Sequence, residues 1–137
     1  MKYKITIYVA ITLCSLLFSS VQAQKSAKNH SAVISFERNV YDYDTIMQGA
    51  DGTCVFLFTN IGDEPLMISD VNASCGCTKP SWSKKPIMPG ERGSIRVTYN
   101  TQLIGHFRKT LVVHTNAANG NGNQVLRIKG FVRPKLM

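Results

Sequence analysis

The chain has 137 residues, 44% of them hydrophobic, with 16 Lys and Arg against 8 Asp and Glu and a formal charge of +8. That length holds one domain with a core of its own, and the charge favours anionic neighbours such as phospholipid or acidic envelope polymers. The basic residues are dispersed, with only Lys84-Lys85 and Arg108-Lys109 adjacent, and no basic run interleaves with aromatics, so nucleic acid is not expected as a partner.

Met1 to Ala23 has the three parts of a cleavable signal peptide. Lys2 and Lys4 give a positive start, Ile5 to Phe18 is apolar, and Val21-Gln22-Ala23 offers a small-x-small cleavage site. The apolar run is short of the roughly 20 residues a membrane-spanning helix needs, so an integral membrane protein is not expected. Cys14 lies inside that run and does not fit a lipid-attachment site. Cleavage after Ala23 removes 23 of the 137 residues, leaves 114, and with Lys2 and Lys4 gone lowers the formal charge from +8 to +6. The expected product is exported, to a periplasm in the first place or else secreted or held at the cell surface. Residues 24–31 read as a flexible lead-in and 32–137 as one domain.

From there the chain breaks into short β-rich pieces with no helical period. Ala32 to Glu37 is a first strand. In Tyr41 to Ile46 the tyrosines share one face and the aspartates the other. Gln48 to Gly52 is a turn. Thr53 to Asn60 puts Cys54, Phe56 and Phe58 on one face and Val55, Leu57 and Thr59 on the other, as in a strand well inside a sheet. Gly62 to Pro65 turns into Leu66 to Val71, which leads to a loop carrying Cys75, Gly76 and Cys77.

Met88-Pro89-Gly90-Glu91 fits a type II turn, with Pro second and Gly third. Ser94 to Asn100 alternates, with Ile95, Val97 and Tyr99 inward. Gly105 to Thr115 is a strand in which Lys109 interrupts the apolar face, at an exposed start or a bulge. Asn116 to Asn123 reads as a long flexible hairpin tip, and Gln124 to Val132 closes the fold. About seven strands at this spacing make an all-β, immunoglobulin-like sandwich.

The run Phe56-Leu57-Phe58-Thr59-Asn60-Ile61-Gly62-Asp63-Glu64-Pro65-Leu66 resembles the F-x-F-x-N-x-G-x-x-P-L signature of a bacterial family, domain of unknown function 1573. Ser74-Cys75-Gly76-Cys77-Thr78, Trp82, Pro86 to Gly93, Gly105 to Lys109, Thr115-Asn116 and Leu126-x-Ile128-x-Gly130-x-Val132 continue the resemblance across Ser35 to Val132. It implies an exported, often periplasmic or lipid-anchored Ig-like domain, similar to Hydin-type and major-sperm-protein-type modules that bind other proteins. It implies no activity. Cys54 departs from the pattern, which has an ordinary apolar residue there.

Three arrangements of the mature chain's cysteines compete. Cys75 and Cys77 can pair across Gly76, but in an extended strand their Cα atoms would lie about 6.6–7.2 Å apart, so the backbone must bend. Such a small loop contributes only about 1.6 kcal/mol. Alternatively Cys54 pairs with Cys75 or Cys77 and closes a longer loop worth about 3.4 kcal/mol. In the third arrangement Cys75 and Cys77 hold a soft ion, Cu(I) or zinc, with His106, His114, Met67 or Met88 completing the set.

Trp82 is either an anchor for a partner or a plug over one end of the sandwich, and Lys79, Lys84 and Lys85 surround it. Asp42 and Asp44 are too few to hold calcium. There is no G-x-S-x-G, H-E-x-x-H or Walker-type loop, and nothing supports an enzyme. The sequence reading is therefore a non-catalytic envelope module that binds another envelope protein through Cys75, Gly76, Cys77, Thr78, Lys79 and Trp82. The alternatives are thiol or soft-metal chemistry at Cys75 and Cys77, and attachment to anionic envelope polymers.

Overall fold

The computed structural model describes residues 29–137. The expected signal peptide, and all of the lead-in before residue 29, lie outside the described residues. Eight strands form: β1 (Ile34–Phe36), β2 (Val40–Met47), β3 (Thr53–Asn60), β4 (Ile68–Ala73), β5 (Thr78–Trp82), β6 (Arg92–Tyr99), β7 (Gly105–Thr115) and β8 (Asn123–Arg133). They make two four-stranded sheets, ordered β1-β3-β6-β5 and β2-β8-β7-β4. All pairings are antiparallel except β2 with β8, which is parallel and sets Val40 opposite Arg127.

The alternation of apolar residues explains the layers. Phe56 and Phe58 of β3 and Ile95 and Val97 of β6 meet Leu111 and Val113 of β7 and Leu126, Ile128 and Val132 of β8, all essentially inaccessible to water. Tyr99 and Phe107 stack across the two sheets at 3.8 Å between ring centroids. β3 is interior to its sheet as expected, and its Val55 and Leu57 face outward and are partly exposed.

Three details differ from the expected chain, and at Lys109 one of two alternatives is removed. Thr78–Trp82 is a strand, because Pro80 lies at a sheet edge where its missing N–H breaks no ladder bond. Lys109 sits at no bulge: its register with Ile128 is continuous, and it lies beyond the end of β4, whose last residue, Ala73, is opposite Leu111. The 116–123 tip is anchored. Ala117 is buried, and the Asn119 side chain accepts the Ile34 N–H at 3.1 Å and donates to the Ile34 carbonyl at 2.8 Å. Finally, Ser31 is tied down, its N–H donating to Asp63 Oδ1 at 2.8 Å while His30 Nδ1 lies 2.6 Å from Asp63 Oδ2.

That last bond, with His30 beside it, holds the Asp63 carboxyl below its ordinary range. A carboxyl whose folded pKa is depressed contributes stability above its unfolded value, and the contribution is lost as pH falls through the folded value. The expected titration of Asp63 by NMR therefore has its midpoint below 3.8, and the Ser31 amide resonance moves with it. An Asp63 midpoint at or above 3.8 contradicts this pairing.

Every edge of the two sheets is blunted. Asn119 occupies the outward N–H and carbonyl of Ile34 on β1. β2 breaks register between Asp42 and Thr45, and Asp42 Oδ1 accepts the Asp44 N–H at 2.8 Å. On β4 the Asp70 carboxylate accepts the Val71 N–H at 2.8 Å. On β5 the Thr78 N–H is taken by the Cys75 carbonyl, and Pro80 has none. These are the devices by which natural sheets resist pairing with another chain.

Candidate functional site

Cys75, Gly76 and Cys77 form the corner at which the chain leaves β4 in one sheet and enters β5 in the other. The corner is held from both sides. The Ser74 N–H donates to the Thr110 carbonyl at 2.9 Å, and the Asn100 N–H donates to the Cys77 carbonyl at 2.8 Å. The turn brings the Cys75 and Cys77 Cα atoms to 5.3 Å and their sulfurs together, inside the range a disulfide requires. The bend needs no left-handed residue, because Gly76 is not among the positive-φ glycines and a Cβ there would meet nothing within 4 Å.

Both cysteines are half-buried and Gly76 is exposed. The buried Thr78 hydroxyl is 3.8 Å from Cys75 Sγ and 3.9 Å from Cys77 Sγ. Gly76, Cys77 and Lys79 line an open groove of about 300 Å³ with Thr98 and Asn100 of β6 and its following turn.

Trp82 does not share that surface. Along β5, Thr78 and Trp82 face the core and Lys79 faces solvent, because side chains alternate across a strand. Trp82 lies opposite Ile95, and the Lys84 ammonium covers its ring at 3.3 Å from the centroid. Its indole N–H is buried without a partner. This geometry makes Trp82 a plug over the core; Lys85 is exposed nearby in sequence.

Cys54 lies elsewhere, buried in β3 as a free thiol, and burial pushes its pKa up. Tyr43 beside it is raised far above the usual phenol range, chiefly by burial, and its hydroxyl donates to the Gly52 carbonyl at 2.6 Å. The other residues considered as soft-metal ligands are not gathered at the corner. His114 is engaged by Asn72 at 3.1 Å and Asn123 at 2.6 Å, and the His106 ring lies against Phe131. Met67 and Met88 are exposed on the loops joined by the Leu66–Ile87 bridge. Among the described residues no group of three or more His, Cys, Asp or Glu could hold a metal ion.

Sequence reasoning missed the residue that organises the opposite loops. Asn60, wholly buried at the end of β3, donates from its side chain to the Glu64 carbonyl at 2.8 Å and the Ile87 carbonyl at 2.9 Å. Its Oδ1 accepts the Gly62 N–H at 3.0 Å and the Val33 N–H at 3.4 Å. The turn at Met88–Glu91, with Gly90 at φ 81°, docks on its backbone carbonyl. Asn116 acts alike, accepting the Met67 N–H at 2.7 Å and donating to the Pro65 carbonyl at 2.9 Å. Both asparagines stand in the motifs, N-x-G and Thr-Asn, that carried the resemblance.

The profile of the family described as "Protein of unknown function (DUF1573)" matches residues 34–132. The chain belongs to this family. Solved structures like this DUF1573 domain include a protein of unknown function from Porphyromonas gingivalis W83, at TM-score 0.67 and 14% identity over 74% of this chain and 47% of that one. The DUF1573 domain thus spans about half of that protein. Another is PapD-like domain 7 of human CEP192, at TM-score 0.64 and 9% identity over 86% of this chain and 97% of that one. A third is the chaperone–tip adhesin subunit complex of Acinetobacter baumannii Csu pili, at TM-score 0.53 and 12% identity over 75% of this chain and 57% of that one. At these identities the likeness is one of fold: an Ig-like, PapD-type sandwich. No functionally curated protein matches the chain.

Proposed function

We propose that this DUF1573 domain is a non-catalytic binding or scaffolding module, exported to a bacterial cell envelope, that engages another envelope protein through the Cys75–Gly76–Cys77 corner. The observation that carries the reading is the corner itself: a tight turn with an exposed apex, hydrogen-bonded to both sheets and flanked by an open groove. The blunted edges argue against strand addition and for presentation of this preformed loop. The signal-like pattern of Met1 to Ala23 supports export, where Cys75 and Cys77 would form a disulfide.

A second reading, thiol–disulfide exchange or soft-metal handling at Cys75 and Cys77, draws on the same adjacency of half-exposed sulfurs. Against exchange, the hydrogen-bond partner described for both sulfurs is the Thr78 hydroxyl rather than a cation that would lower a thiol pKa. Against metal handling, His106 and His114 are held elsewhere.

The deciding experiment is thiol and metal accounting on protein exported to an oxidising compartment, paired with a crosslinker placed at Lys79. The expected result is one Cys75–Cys77 bond, no stoichiometric metal, and a Cys54 that alkylates only after unfolding. Lys79 should crosslink to one discrete partner, while a crosslinker at Val55 does not. Replacing both Cys75 and Cys77 by Ser should cost no more than about 1.6 kcal/mol of stability yet weaken the crosslink. Catalysed thiol exchange, or a metal lost on either substitution, would overturn the reading.

A further inference from the structure

A second surface lies on the outer face of the β2–β8–β7–β4 sheet. Along β8 the inward residues Leu126, Ile128 and Val132 are buried, which turns Arg127, Lys129 and Phe131 outward. On β7 the same alternation turns His106 and Arg108 outward. Antiparallel register then sets Arg108 directly opposite Lys129, and His106 opposite Phe131. Like charges directly opposite destabilise a sheet, so the fold gains nothing from the Arg108–Lys129 pair.

Beside this cluster β2 departs from β8. The register breaks between Asp42 and Thr45, and Asp44 takes up φ 54°, a conformation that costs a non-glycine residue free energy. The break opens a cleft of about 490 Å³ whose walls include the carboxylates of Asp42 and Asp44, the cations Arg108 and Lys129, and the His106 and Phe131 rings. Asp42 pairs with Lys129 at 3.2 Å and caps the bulge, whereas Asp44 and Arg108 make no side-chain ion pair among the described residues. The His106 and Phe131 rings lie 4.6 Å apart and form an aromatic wall. A smaller groove alongside, lined by Val40, Arg108, Arg127 and Lys129, carries three cations and no carboxylate.

We propose that this cleft binds an anionic carbohydrate, a chain of sugar units carrying carboxylate or phosphate groups. Arg108 and, in the adjoining groove, Arg127 make no ion pair among the described residues and meet the acidic groups, with Lys129 shared between Asp42 and the ligand. The ring wall presents an apolar face to a pyranose, and the free Asp44 carboxylate accepts hydrogen bonds from sugar hydroxyls. A plain polyanion makes no use of an aromatic wall or of an acid held in a strained backbone. That combination separates a glycan from an acidic peptide. The site shares no residue with the Cys75–Gly76–Cys77 corner and does not depend on the role proposed for it.

The test is calorimetry on the purified protein with oligogalacturonate and phosphomannan as probes, and polyglutamate of matched charge as comparison. At least one glycan should bind about tenfold more tightly than polyglutamate and lose affinity as salt rises. Substituting Arg108→Ser together with Lys129→Ser should cost about tenfold in affinity. Phe131→Ser and Asp44→Gly should each weaken glycan binding several-fold. Asp44→Gly should do so with an unchanged or higher Tm, because glycine relieves the positive φ. Circular dichroism verifies that each variant folds. Absence of binding to either glycan, equal binding of polyglutamate, or full affinity in folded Phe131→Ser and Asp44→Gly variants would overturn the proposal.

Discussion

Replacing Asn60 by Ala should destabilise the domain by on the order of 4 kcal/mol, enough to lower Tm by more than about 15 °C. The side chain is fully buried and makes four hydrogen bonds, all to backbone groups of the three segments that converge on the end of β3. Removing it takes their side-chain partner from the Glu64 carbonyl and the Val33 and Gly62 N–H groups, and leaves the Ile87 carbonyl with the Leu66 N–H alone. Chemical denaturation checks the number. Asn60→Asp, which keeps the shape but loses both donors, should be comparably unstable near neutral pH. It should recover in part as pH is lowered, when the neutral carboxyl donates again. A loss below about 1 kcal/mol for Asn60→Ala would mean that water replaces the side chain freely.

Gly62→Ala should cost about 3 kcal/mol and release the first strand. A Cβ on Gly62 would collide with the Ser31 carbonyl oxygen and come within 2.5 Å of the Val33 N and 2.9 Å of the Ala32 carbonyl carbon. All are backbone atoms, which cannot rotate aside. The displacement would break the bonds from the Ile61 N–H to the Val33 carbonyl and from the Asp63 N–H to the Ser31 carbonyl. Hydrogen exchange should show Ile34 to Phe36 losing protection before the rest of the sandwich. Gly76→Ala is the internal control, expected within about 0.5 kcal/mol of the parent because the site is open. If the two alanine variants unfolded together, the packing around Gly62 would not be what holds β1 in place.

Much of the architecture could be read in the residues. Thr53–Asn60 is a strand with the bounds its alternation gives, and Ile95, Val97 and Tyr99 face inward as their spacing dictates. The Met88–Glu91 turn follows from Pro89 and Gly90. What escaped depends on partners distant in the chain. Asn60, Asn116 and Asn119 are short polar residues of the kind that populate any turn, and only tertiary contact converts them into substitutes for strand bonds. The positive face escaped for a similar reason. Arg108 and Lys129 belong to different strands and become neighbours only through the register of β7 with β8. Trp82 and Lys79 looked like one surface because Pro80 hid a strand, and a strand sends residues of opposite parity to opposite sides.

The parallel pairing of β2 with β8 has a consequence for how the molecule comes into being. Val40, among the first described residues to emerge in any N-to-C passage, has its partner in Arg127, among the last. β7 and β4 can zip as neighbours, but the sheet they belong to stays open on one flank until the C-terminal strand arrives. A chain threading a ribosomal tunnel or a translocation pore therefore cannot complete its architecture midway. The β1-β3-β6-β5 sheet has all its strands by Tyr99, so it is the second sheet, and with it the closed core, that waits for β8, as expected for a topology dominated by distant contacts.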